Sequence, residues 1–236
     1  MPPVKAVLFD LDDTLWPIVP VIQRAENLLF DWLRQNAPEV AARFSIESLR
    51  KRRMELMASD PLYQLDLRAL RRAGLMEAFT MAGQDLALVD QAMEVFSRAR
   101  NDVEPFEDVL PTLASLSNRV LLGSVSNGVA DLHEIGLAHH FRVSVAAHHC
   151  GCAKPDAAIF HAACEALGVA PEEAVYAGDD PLLDVEGAQK AGLRGVWINR
   201  PGLWPDRQLP HHVRPDASFR NLYELEQWLE ESIVKP

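Results

Sequence analysis

The sequence predicts an α/β fold: a parallel sheet whose succession of strands is broken, after the first, by an all-helical insertion. Three observations carry this. Short, nearly continuous apolar runs alternate with amphipathic helical patterns, as a sheet buried on both faces requires. Residues 17–104 show helical periodicity with no convincing strand among them. The loops after the apolar runs are rich in acids and hydroxyls, the composition of a site at one sheet edge.

The first run, "VKAVLF" (4–9), is apolar apart from Lys5 and reads as a buried strand. The insertion follows as "VIQRAENLLFDWLRQ", "IESLRKRRMELMA", "LDLRALRRAGLMEAF" and "DLALVDQAMEVFSRAR", leaving near Trp16-Pro17 and returning near Glu104-Pro105. This puts the sheet domain at 1–15 and 105–236 and the helical domain at 16–104. Further strands are expected at 119–126, 141–147, 173–179 and 193–199. Helices are expected at 155–168 and 181–192, each opening at a proline and ending at a glycine. A proline-rich loop (199–216) then precedes a last helix, "LYELEQWLEESI".

At 236 residues, 48% hydrophobic and 24% charged, the chain can bury a full core, which excludes disordered and fibrous classes. A net charge of −11 disfavours nucleic acid and anionic membranes as partners. No stretch suits export or a membrane span, so a cytoplasmic protein is expected, as a monomer or homodimer. Cys150, Cys152 and Cys164 make no disulfide framework. "HHCGC" (148–152) lacks the usual ligand spacing of zinc sites and reads as a polar surface loop. The basic run "RKRR" (50–53) reads as a solvated helix face, and His133, His139, His140 and His161 are assigned no chemistry.

Ligands of open parallel sheets bind beyond the carboxyl ends of the strands. Asp10, Asp12 and Thr14 follow the first strand; Ser126, Asn127 and Gly128 the second; Lys154 the third; and Asp179, Asp180 and Asp184 the fourth. Carboxylates so crowded raise one another's pKa unless a cation joins them. The donors are hard oxygens, which suits magnesium, and Lys154 adds a second positive charge, so the set is suited to a phosphoryl group.

"DLDDT", "VSNG", "AKPD" and "GDDPLLD" together resemble, in order, the four motifs of the haloacid dehalogenase-like superfamily, over residues 4–15 and about 105–200. The resemblance implies a Rossmann-like core, with the insertion as a type 1 helical cap. It also implies a Mg2+-dependent phosphomonoesterase acting on a small phosphorylated metabolite. Asp10 would be the nucleophile and a metal ligand. Asp12 would be the general acid–base, its carbonyl also on the metal. Ser126, Asn127 and Gly128 would bind the phosphoryl oxygens, with Lys154 neutralising charge there. Asp179 would bind the metal, and Asp184 would hold the metal's waters or Lys154 from behind it. Thr14 is expected to orient Asp12, and Trp16 either packs the hinge or stacks on a planar substrate ring. Asp13 stands where many members carry glycine and reads as a turn residue, and Asp180 reads as either a helix N-cap or a direct metal contact. "DLDDTLWPIVPVIQRAE" is similar to bacterial members that dephosphorylate flavin mononucleotide and the phosphoribitylaminouracil intermediate of riboflavin synthesis. A 2-haloacid dehalogenase, a phosphomutase and a catalytically silent binding protein are the alternatives; Asp12 argues against the first.

Overall fold

The computed structural model describes residues 2–203 and 208–231, so part of the expected 199–216 loop and the expected helix end at 232–233 lie outside the described residues. Contacts divide the chain into two units, residues 1–17, 104–128 and 136–236, and residues 18–103 and 129–135.

The first unit holds six strands: β1 (Ala6–Phe9), β2 (Leu121–Ser126), β3 (Val143–Ala146), β4 (Ala174–Gly178), β5 (Arg194–Ile198) and β6 (Ala217–Phe219). Their order is β3-β2-β1-β4-β5-β6, parallel throughout. Sequential strands thus run outward from β1 in both directions, which makes the β1/β4 boundary the topological switch point, where such sheets bind ligands. The register sets Phe9 beside Ser124 on β2 and Ala177 on β4, so the loops after these strands open at one edge. β1, β4 and β5 are buried along their whole length, which is why they read as unbroken apolar runs. β6 was not expected; it is three residues at the sheet edge, with no fully buried position to mark it.

The second unit contains α1 (Ile18–Asn36), α2 (Pro38–Arg43), α3 (Ile46–Ser59), α4 (Leu62–Leu65), α5 (Leu67–Ala82) and α6 (Leu88–Asn101). Ala25, Leu29 and Leu33 of α1 recur every fourth residue, and Val89, Met93 and Phe96 of α6 follow the same helical spacing. These stripes meet Leu75, Ala78 and Phe79 of α5 in one apolar core. The Asn101 carboxamide ties residues 129–135 to α6, accepting from the Asp131 N–H at 3.0 Å and donating to Glu134 at 2.5 Å. The "RKRR" run is more than a solvated face. Arg50 and Arg53 pair with the buried carboxylate of Glu26, while Arg52 bridges Glu77 at 2.6 Å and Glu55 at 3.0 Å.

In the sheet unit, α7 (Val109–Leu116) buries Val109, Leu113 and Leu116, and α9 (Leu222–Leu229) packs on it. α8 (Ala157–Leu167) lies on β2 and β3 through Ile159, Phe160 and Ala163. Its N-cap is Asp156, whose carboxylate accepts from the Ala158 N–H at 2.9 Å, so Pro155 precedes the helix instead of opening it. The chain re-enters this unit where it left, the Phe106 N–H donating to the Leu15 carbonyl at 3.0 Å. One buried ion pair fastens that junction. Arg200 donates from Nε to the Thr14 carbonyl at 2.8 Å and from Nη1 to Asp108 at 3.0 Å, with its guanidinium 3.9 Å from the Phe106 ring centroid. The other Asp108 oxygen accepts the Leu222 N–H at the start of α9.

Breaking a buried pair from one side strands the remaining charge, at a cost of about 3–5 kcal/mol. Asp108→Ala should destabilise the protein by that much in urea unfolding. A loss comparable to that of an exposed pair would contradict the bracing role.

Candidate active site

β1 ends in Asp10, whose N–H still donates to the Ala177 carbonyl at 2.9 Å, so its carboxylate is set by the sheet ladder itself. The chain then turns at Asp13, at φ 60°. This left-handed conformation favours glycine but is tolerated by aspartate. The turn closes with the Asp13 N–H on the Trp16 carbonyl at 2.7 Å. Trp16 lies fully buried and donates from its indole Nε1 to Asp12 Oδ1 at 2.9 Å. This indole thus holds the Asp12 carboxylate. Thr14 does not do so: its side chain is buried, and among the described residues its Oγ1 has no hydrogen-bond partner. Nor is Trp16 free to stack on a substrate ring, because its ring is enclosed and its N–H is taken.

Lys154 is buried, with its ammonium in contact with three acceptors: Asp10 Oδ1 at 2.6 Å, Asp184 Oδ1 at 2.7 Å and the Tyr176 hydroxyl at 2.9 Å. An ammonium has three N–H donors, so its capacity is filled. Its backbone is held as firmly. The Asn127 carboxamide accepts from the Lys154 N–H at 2.8 Å and donates to the Lys154 carbonyl at 3.0 Å, clamping the loop after β3 to the loop after β2. Beside it Ser126 Oγ accepts the Gly128 N–H at 2.9 Å, which shapes the Ser-Asn-Gly turn.

β4 supplies the remaining acids. Asp179 follows the strand directly, its carbonyl accepting from Trp197 Nε1 at 2.8 Å. Asp180 caps the π-helical turn Pro181–Glu186, accepting from Leu182 N–H at 2.8 Å and Leu183 N–H at 2.9 Å. That turn carries Asp184 back beneath the site, where Oδ2 accepts the Asp180 N–H at 2.9 Å. Room for this comes from Gly178, since a Cβ there would stand 2.3 Å from Asp184 Oδ2.

The residues enclose a crevice of about 200 Å³ within the sheet unit, lined by Asp10, Asp12, Ser126, Asn127, Lys154 and Asp179 among others. Thr14 and Trp16 stand behind this lining. A larger cavity of about 760 Å³ in the helical unit, bordered by Leu49, Met76 and Met81, contains no comparable set of acids. Oxygens of Asp10, Asp179 and Asp184 lie within 4.8 Å of one another, the one group of three potential ligands among the described residues. Three carboxylates facing one ammonium leave an excess of negative charge, and all the donors are hard oxygens. This set fits a hard divalent cation. Burial, and then the carboxylates of Asp184 and Asp179, push Asp10 well above the usual carboxylate range against the pull of Lys154. For Lys154, burial acts to depress the pKa, but Asp10 and Asp184 outweigh it and hold the ammonium charged.

Sequence reasoning missed Tyr176, whose hydroxyl donates to the Val125 carbonyl at 2.9 Å and receives Lys154. Its one signal was a phenol inside the otherwise apolar strand "AVYAG". Nothing in the sequence pointed to the Arg200–Asp108 brace.

A carboxyl whose folded-state pKa exceeds its unfolded value retains a proton that the unfolded chain loses. From about pH 4 upward, the metal-free protein should therefore lose stability as pH rises toward the raised Asp10 value. Asp10→Asn removes the titration. In chelator, its melting temperature should fall less than that of the wild type between acid and mildly alkaline pH. Parallel curves would contradict this account of the crevice.

The chain matches the haloacid dehalogenase-like hydrolases over residues 4–192. It is 29% identical to the 5-amino-6-(5-phospho-D-ribitylamino)uracil phosphatase YigB of Escherichia coli, over 88% of this chain and 91% of that protein. It is 34% identical to the glyceraldehyde 3-phosphate phosphatase of Methanopyrus kandleri, over 87% of this chain and 88% of that protein. Among solved structures, a 2-haloacid dehalogenase from Pseudomonas syringae superposes with a TM-score of 0.89 at 38% identity, covering 97% of this chain and 99% of that one. With four motifs converging on one crevice, and a family match across most of its length, this chain belongs to the haloacid dehalogenase-like hydrolases.

Proposed function

We propose that the protein is a magnesium-dependent phosphomonoesterase that works through an aspartyl-phosphate on Asp10. The observation that carries this reading is the pairing of two carboxylates with separate supports, Asp10 held by Lys154 and Asp12 held by Trp16. One is fixed to attack and the other to move a proton. A phosphate monoester enters with its oxygens toward the Ser126 hydroxyl and the Asn127 N–H, while Lys154, its donors already taken, supplies positive charge from behind. An Asp10 oxygen attacks phosphorus as the bond to the leaving alcohol breaks, and Asp12 gives its proton to that alcohol. Asp12 then takes a proton from the water that attacks the phosphoryl group, and Asp10 is released as a carboxylate. Asp10, Asp179 and the Asp12 carbonyl would hold Mg2+, with Asp184 steadying its waters or Lys154 from behind, and the ion would supply positive charge against the phosphoryl oxygens.

The substrate class is a small phosphorylated metabolite. Flavin mononucleotide or a riboflavin-pathway phosphate is the specific reading, supported by the similarity to the riboflavin-pathway phosphatase over nearly the whole chain. The similarity to the Pseudomonas dehalogenase favours a second reading, hydrolysis of a 2-haloacid. Asp12 speaks for the first, since attack on carbon needs no acid two residues after the nucleophile.

Phosphate release from p-nitrophenyl phosphate and from phosphorylated metabolites, assayed beside halide release from 2-chloropropanoate, tests the choice. Phosphate should be released, chelation should abolish it and magnesium restore it. Halide release, or full phosphatase activity in excess chelator, would overturn the proposal. Asp12→Asn should lower kcat by about 10²–10⁴-fold on alkyl phosphates and by less on aryl phosphates in the phosphorylation step. Trp16→Phe should move kcat in the same direction by a smaller factor. Equal losses for good and poor leaving groups would contradict the acid role of Asp12.

A further inference from the structure

We propose that Cys150 and Cys152 form a redox-active dithiol whose closure to a disulfide switches off the Lys154 loop. The "HHCGC" stretch is not an open loop: Ala147–Cys150 is a helical turn, ended by Gly151 at φ 75°. That left-handed residue folds the chain back so that the two sulfurs stand 2.8 Å apart. Their side chains therefore converge, as the bond requires. Both thiols are half-buried against the sheet unit's core and within reach of a small oxidant, whereas Cys164 is buried in that core.

The position of the pair gives it a consequence. Cys152 lies two residues before Lys154, whose main chain is clamped by Asn127. On the far side, the Asp156 N–H donates to the Ala153 carbonyl at 2.9 Å. With that side pinned, tightening the 150–152 turn displaces Ala153 and Lys154, and with them the ammonium that holds Asp10.

The oxidant is a peroxide. One sulfur, as thiolate, attacks a peroxide oxygen, giving a sulfenic acid and water once protons are counted. The second sulfur attacks the sulfenic sulfur, expelling its oxygen as a second water. Two thiols and one hydrogen peroxide thus yield one disulfide and two waters, with two electrons passing to the peroxide. Burial and the contact with Cys150 push the Cys152 thiol up to about 12.

The bond does not depend on the phosphatase reading; its effect on turnover does. The test treats the full-length protein with hydrogen peroxide, alkylates the remaining thiols and maps them by mass spectrometry, with p-nitrophenyl phosphate turnover measured in parallel. The expected result is loss of two hydrogens from the peptide spanning Cys150 and Cys152, Cys164 remaining a thiol, and a fall in turnover of about tenfold or more, since small misplacements at reacting groups are costly. Dithiothreitol should reverse both changes. Cys150→Ser and Cys152→Ser should each keep their turnover through brief peroxide exposure. Alkylation of both cysteines after peroxide, or oxidation of either to sulfinic acid without a disulfide, would overturn the dithiol. A disulfide that leaves turnover unchanged would overturn the switch. If the reduced protein turns over no phosphomonoester, the phosphatase reading has failed and the mass measurement alone decides the dithiol.

Discussion

A single ammonium organises the site. Lys154 spends its three donors on Asp10, Asp184 and Tyr176, groups that belong to the loop after β1, to the turn after β4 and to β4 itself. Its main chain is meanwhile clamped by Asn127, from the loop after β2. The carboxyl ends of the sheet's central strands are thereby drawn to one point. The strand order makes this possible, since β2 and β4 flank β1, and the loops after these strands open toward the same edge as the loop after β3.

That arrangement leaves a charge problem, which has the look of function. Burying carboxylates costs free energy unless a cation joins them, and one lysine does not balance Asp10, Asp179 and Asp184. A protein selected for stability alone would replace such a cluster with apolar groups. Keeping it makes sense if a divalent cation and a phosphoryl group arrive together, each compensating the other's charge. Gly178 points the same way: a residue without a side chain at the end of a buried strand is what lets Asp184 come in beside Asp10 and Asp179.

How much of this the sequence announced depends on the range of the interactions involved. The buried strands were legible because both faces are covered, and β6 was not, because an edge strand of three half-exposed or exposed residues leaves no such trace. The acids could be placed from sequence because each follows a strand, and strand ends fix position without knowledge of partners. Partners are another matter. Thr14 was expected from the family resemblance to orient Asp12, yet the hydrogen bond to that carboxylate comes from the Trp16 indole four residues away. Tyr176 and Val125 are 51 residues apart, and Arg200 and Thr14 are 186 apart. No local pattern encodes such pairs, since they exist only once the sheet has brought their strands together. Asp13 illustrates the converse: its positive φ is a local property, in keeping with its reading as a turn residue at a position where the family resemblance places glycine.

The central claim is that Asp10 carries the phosphoryl group in turn. Rapid acid quench of the magnesium-loaded enzyme during turnover, followed by peptide mass mapping, tests it directly. The account predicts one added phosphoryl group on the peptide containing Asp10, labile to hydroxylamine and missing from Asp10→Asn. Turnover with no adduct at any quench time, or an adduct on another residue, would contradict it.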